Sequence, residues 1–180
     1  MRTTLGLLAF LSLAAGAAAP ASAQTGEELL KKVGAFTPIP KPEFPSPAGL
    51  DYKVAWDITE GADKPGDMTG GYAVPANFLM MTDASGIPRK NVHIAIIVHG
   101  TATRTLLRND AYKAMTGSDN PNIAILQALH DAGVKVIVCG QALVNRKVPR
   151  DQLLPFVEVS ISATLARATL HAQGYATLTP

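Results

Sequence analysis

The sequence predicts an α/β fold, a three-layer α/β/α sandwich built on a mainly parallel five-stranded sheet. Three observations carry this expectation. The stretch Val92-His93-Ile94-Ala95-Ile96-Ile97-Val98-His99 is continuously apolar in its middle, as parallel strands covered on both faces are. A helix and a second short strand follow it, ending at Cys139, which makes a βαβ unit with a right-handed crossover. Strands then alternate with helices through the rest of the chain, with no internal repeat and no second domain.

The elements follow in order from the N-terminus. Residues 1–23 read as a secretory signal peptide. Arg2 supplies the positive start, Leu5 to Leu13 the short apolar core, and Ala21-Ser22-Ala23 the small-residue pattern, with cleavage expected before Gln24. Residues 24–50 read as an N-terminal arm and proline-rich linker. Glu27 to Val33 has the pattern of two helical turns, too short to be stable alone. Pro38, Pro40, Pro42, Pro45 and Pro47 then impose an extended path, read as a spacer or surface wrap. The domain itself spans 51–180.

Tyr52 to Ile58 alternates as a half-buried strand does. A glycine-rich polar loop follows, without the spacing of a phosphate-binding loop. Residues 73–84 are expected to be helical, with Val74-Pro75 in the first turn. After His99-Gly100, residues 109–120 read as a polar loop. Asn120-Pro121 opens a helix, as N-cap and first residue, that Gly133 closes. Val134 to Val138 is a short buried strand leading into Cys139, and Gln141 to Val144 favours helix. Phe156 to Val159 reads as a brief strand. Ser160 or Ser162 caps a helix through Gln173, with Ile161, Leu165, Ala168 and Ala172 along one side, and Tyr175 to Leu178 forms the last strand.

Charge and composition narrow the function. Sixteen basic residues stand against 14 acidic ones, a formal net charge of +2, with no basic cluster. That balance gives no electrostatic basis for binding nucleic acid or an anionic membrane. No stretch beyond the signal has about 18 continuous apolar residues, so no membrane span is expected after cleavage. There is no His-x-x-x-His, no Cys-x-x-Cys and no carboxylate cluster, so neither metal nor cofactor is expected. Ser85, Ser118, Ser160 and Ser162 lack the G-x-S-x-G elbow of a serine hydrolase.

Two strand ends remain as chemistry-bearing positions. Cys139 is the only cysteine, so it forms no internal disulfide, and in an oxidising compartment it is buried, reactive or bridged to a partner. Placed between a strand and a helix N-terminus, it would feel the helix dipole, which favours thiolate. The competing reading is a small buried hydrophobe. His99-Gly100 ends the preceding strand. If the two strands are neighbours, about 4.8 Å apart, His99 would tune the thiol or shuttle its proton. The alternative is a histidine that only orders the following loop. His93 shares the face of His99 but lies about 20 Å away along the strand. His130 and His171 read as helix-surface residues.

Taken together, Val92–Gly100, the Asn-Pro helix at 120–132, Gly133 through Gln141, and Val157-Glu158-Val159-Ser160 to Gly174-Tyr175-Ala176 resemble the DsrE/DsrF-like family over roughly residues 50–180. The resemblance implies a small α/β sandwich, frequently assembled into homo- or hetero-oligomers. It implies a cysteine after this strand that carries a persulfide between sulfur donor and acceptor proteins, a position that falls on Cys139. His99 falls on a histidine that many relatives carry before a glycine. Gly100, Gly140 and Gln141 are the expected substrate-binding residues, the amides of Gly140 and Gln141 cradling the added charge.

The chain departs from the cytoplasmic relay members in its export signal and proline-rich arm, and its Gly140-Gln141 loop follows another branch of the family. The expectation is a periplasmic, oligomeric thiol-based sulfur carrier or binder, a sulfurtransferase-like role without cofactor. The rival is a non-catalytic binding or assembly module with a structural cysteine, and a thiol redox sensor is a third reading. The apolar stretch from Ala142 to Phe156 reads either as a subunit contact or as packing under the sheet.

Overall fold

Five strands build the sheet: β1 (Tyr52–Ile58), β2 (Val92–Val98), β3 (Lys135–Cys139), β4 (Glu158–Ser160) and β5 (Ala176–Leu178). They lie in the order β4-β3-β2-β1-β5, and every neighbouring pair is parallel. This is the α/β architecture expected from the sequence. The structure, a computed structural model, describes residues 25–178. The expected signal peptide lies outside the described residues.

Strand periodicity divides the sheet into two unlike faces. Val54, Trp56 and Ile58, Ile94, Ile96 and Val98, and Val136 and Val138 point to one face. There they meet α1 (Gly26–Val33), α2 (Ala73–Ala84) and α4 (Ile123–Asp131) in the larger core. Ala55, Ala95, Ile97 and Cys139 point to the other face, which meets α6 (Ala163–Ala172). The path explains the split. Steps from β1 to β2 to β3 run one way, so right-handed crossovers stack α2 and α4 on one side. The return from β4 across the sheet to β5 puts α6 on the other.

The helix at the start of the described residues is held by packing rather than by propensity. Eight residues are marginal alone, but a capping box joins Thr25 and Glu28, and Leu30 is buried against α2 and α4. Asn77 of α2 donates to the carbonyls of Gly34 and Ala35, fixing the chain where it leaves the helix.

Two local expectations change. Residues 109–116 are not loop but a helix, α3 (Asn109–Thr116), ended by Gly117 at φ +78°. Asn109, Asp110 and Lys113 face outward together with the apolar Ala114 and Met115, so the apolar periodicity is faint, yet Tyr112 is buried and its hydroxyl donates to the Pro65 carbonyl at 2.8 Å. In α6 the buried side is Ala163, Ala166 and Leu170, not Ile161, Leu165, Ala168 and Ala172, which are exposed. Small residues face the sheet because Ala55 and Ala95 bring the helix close. Ser162 caps that helix through Leu165, one of the two serines expected to do so.

Asn120 knots the connection before α4. Its amide donates to the carbonyls of Thr105 and Leu107, and its Oδ1 accepts from the Asn122 backbone, two residues on. The bond is local, but Asn120 and Pro121 do not open the helix as the sequence suggests: it begins at Ile123, with Asn122 at the N-cap position. Asn122 in turn accepts from the Thr69 backbone N–H at 2.8 Å, tying the long loop after β1 to this corner.

Candidate site at the C-terminal strand ends

His99 and Cys139 leave the sheet side by side. Their strands are adjacent, and the register pairs Ile97 with Ile137 and Val98 with Val138, so the next opposed positions are His99 and Cys139. Both belong to the face that α6 covers. The His99 backbone N–H still donates to the Ile58 carbonyl at 3.0 Å, holding it in extended geometry at the end of β1.

Local backbone demands fix the two glycines that follow. Gly100 has φ +59°, and a Cβ there would run into the Thr59 carbonyl, so only glycine lets the chain turn. A Cβ on Gly140 would sit 2.7 Å from the Ser160 carbonyl oxygen, so the start of α5 (Gly140–Asn145) presses against β4. Packing against the protein's own backbone accounts for both residues. Gln141 is exposed on the first turn of α5.

A cleft of about 480 Å³ opens between these loops, lined by His99, Gly100, Cys139, Gln141, Ala142, Asn145 and Arg146. Cys139 is 7% exposed and lines it. The residue takes the N-cap position of α5, but its side chain makes no capping hydrogen bond. The helix it precedes has only six residues, so the dipole contributes less than the sequence suggested. The lining carries one cation, Arg146, two side-chain amides and no carboxylate.

Beneath His99 lies an acid that the sequence reading missed. Asp57 is 5% exposed at the end of β1, which pairs with the other side of β2, and its Cα is in register with Ile97. Asp57 Oδ2 accepts a hydrogen bond from Arg167 Nη1 at 2.6 Å. Asp57 Oδ1 lies 3.3 Å from His99 Nε2, but the two are not aligned for a hydrogen bond. The available signal was a lone carboxylate at the C-terminal end of an apolar strand, where parallel sheets gather their functional groups. Arg167, from α6, had no sequence signal pointing to this site.

The other histidines stand apart. His93 lies 3.7 Å from Asp51 at the opposite end of the strand, His130 stacks on Phe156 with ring centroids 4.6 Å apart, and His171 is exposed. Among the described residues no three His, Cys, Asp or Glu side chains gather closely enough to hold a metal ion. No described helix is long and apolar enough to cross a membrane.

One solved structure gives the fold a second footing. MTH1491, a protein of unknown function from Methanobacterium thermoautotrophicum, superposes with a TM-score of 0.53 at 19% identity, covering 72% of this chain and 100% of its own. The ychN protein from E. coli gives a TM-score of 0.49 at 18% identity over 72% of this chain and 99% of its own. No curated protein matches the sequence. The family model for the DsrE/DsrF-like family matches residues 65–180, which takes in β2, β3, the cleft and α6. This chain therefore belongs to the DsrE/DsrF-like family.

Proposed function

We propose that the protein is an exported thiol-based sulfur carrier that holds a persulfide on Cys139. Family membership suggests a sulfur-relay type of role. The observation that carries the finer reading is the side-by-side placement of Cys139 and His99 at two strand ends that line one open cleft. A thiolate there attacks the outer sulfur of thiosulfate. The new bond is Sγ–S, the broken bond is S–SO₃, and sulfite leaves with the bonding electron pair, so no outside oxidant or reductant is needed. His99 accepts the thiol proton before attack and its charged ring stabilises the thiolate. Gln141, Asn145 and Arg146 supply donors and a positive charge for the departing anion. An acceptor thiolate or sulfite then removes the outer sulfur and regenerates the Cys139 thiolate.

The residues Arg2, Leu5–Leu13 and Ala21-Ser22-Ala23 support export to the periplasm, where an unpaired, nearly buried cysteine escapes adventitious oxidation. Assembly into a homo-oligomer is part of the same reading. Leu143, Val148, Leu153 and Leu154 turn inward, but Val144 and Ile161 stay 72% and 71% exposed and line one groove, which shares Gln141 with the cleft. Those two are the apolar surface a second copy would cover.

The test is incubation of the mature protein with thiosulfate or polysulfide, followed by intact mass. Gain of one sulfur atom, absent in Cys139→Ser, is expected. An unmodified mass with the thiol still titratable would refute the carrier. The burial of Cys139 favours one rival, a structural cysteine in a binding or assembly module. That rival predicts alkylation only on unfolding, whereas the carrier predicts alkylation of the native protein.

A further inference from the structure

We infer that Asp57 is a positioning residue for His99, and that Arg167 holds its carboxylate in place for that task. The inference rests on the reading of Cys139 and His99 as the working pair.

A carboxylate is costly to bury, and an apolar strand has no structural use for one unless a partner compensates it. Arg167 compensates only half of Asp57. It holds Oδ2 at 2.6 Å, leaving Oδ1 and His99 Nε2 facing each other at 3.3 Å. Both of these atoms are sealed from solvent, and neither has a hydrogen-bond partner among the described residues. Each is thus the one polar atom placed to satisfy the other. A small rotation of the ring aligns them, as catalytic contacts often tighten only when a site is occupied.

The chemistry follows from that geometry. A carboxylate oxygen only accepts, so the ring nitrogen facing it must carry the hydrogen. Nε2 is therefore the protonated nitrogen of neutral His99, and Nδ1 is left to exchange a proton with the thiol. The Asp57 charge also steadies the imidazolium formed when the thiol ionises. Arg167 engages Oδ2, which leaves Oδ1 as the oxygen turned to His99. Of the residues that line the cleft with His99, Cys139 on β3 and Arg146 on α5 are titratable or charged, while the Arg104 guanidinium is turned to the Ala62 carbonyl. None of these is hydrogen-bonded to Nε2.

A purely structural role, in which Asp57 and Arg167 only tie α6 to the sheet, makes different predictions. Long-range ¹H–¹⁵N spectra of the histidine side chains, with His99 assigned from His99→Gln, read the tautomer directly. The Nε2–H form is expected, and a predominant Nδ1–H form would overturn the inference. The rate of Cys139 alkylation by iodoacetamide near neutral pH gives a second reading. Asp57→Asn should slow it about tenfold, and the same change should add nothing in a His99→Gln background. An unchanged rate, or an equal slowing in both backgrounds, would contradict the role. Arg167→Lys, which keeps the charge, should stay close to the wild-type rate. Neither readout requires sulfur transfer. A Cys139 that takes no sulfur while these results hold would remove the carrier reading and leave the positioning of His99 standing.

Discussion

Asp57 Oδ1 lies 3.3 Å from His99 Nε2 while the other oxygen of the same carboxylate accepts from Arg167, so one buried acid joins β1, the end of β2 and α6. The arrangement has a stability consequence separate from its chemistry. Arg167→Met leaves a carboxylate buried without its cation. Breaking such a pair costs several kcal/mol when both partners are sealed, but the Arg167 side chain is 39% exposed. Water then screens part of the loss, and about 1–2 kcal/mol is expected. Urea denaturation checks this. Asp57→Leu combined with Arg167→Met should be more stable than Arg167→Met alone, because no orphaned charge remains.

Gly100→Ala should destabilise the protein by about 2–3 kcal/mol, since the new methyl meets the Thr59 carbonyl at a positive φ. Gly117→Ala has the same sign of φ, +78°, but open space around it, and should cost only about 1 kcal/mol. Equal losses at the two positions would show that the close approach at the mouth of the cleft carries no energy.

Much of this was legible from residues alone, and the failures have physical causes. Cys139 and His99 stood out because each ends an apolar run just before a glycine. Their juxtaposition needed only adjacent strands joined by one crossover. Asp57 stayed hidden because its role depends on β1 lying on the far side of β2, and strand order is not written in local pattern. The same holds for Arg167, which reaches Asp57 across 110 positions of chain. The buried side of α6 is hard to read because Ile161 and Leu165 outweigh Ala163 and Ala166 in hydrophobicity. Close packing on Ala55 and Ala95 selects the small residues instead.

Asn120→Ala should cost about 2–4 kcal/mol. It removes donors to the buried carbonyls of Thr105 and Leu107 and the acceptor for the Asn122 N–H, all at a corner water does not reach. The loss should appear as a lower urea midpoint with an unchanged slope.

Burial raises the Tyr72 phenol far above its ordinary value of 10.0, outweighing its hydrogen bond with Thr105, which lowers it. The sign is fixed by linkage. The unfolded chain releases this proton near its ordinary value while the folded chain keeps it, so the stabilisation is complete below that pH and falls as pH rises above it. Tyr72→Phe should therefore flatten the alkaline loss of stability, while costing about 1 kcal/mol at neutral pH for the lost hydrogen bond. Unfolding midpoints across the alkaline range give the comparison, and parallel curves for the two proteins would contradict it.

The measurement that bears most directly on the carrier is a load-and-release cycle followed by intact mass. The mature protein is loaded with polysulfide, freed of donor, and then given sulfite. The account predicts one added sulfur on Cys139 after loading, its loss on adding sulfite, and an equal amount of thiosulfate in solution. A native protein that gains no sulfur, or gains one that sulfite cannot remove while the persulfide stays intact, would contradict it.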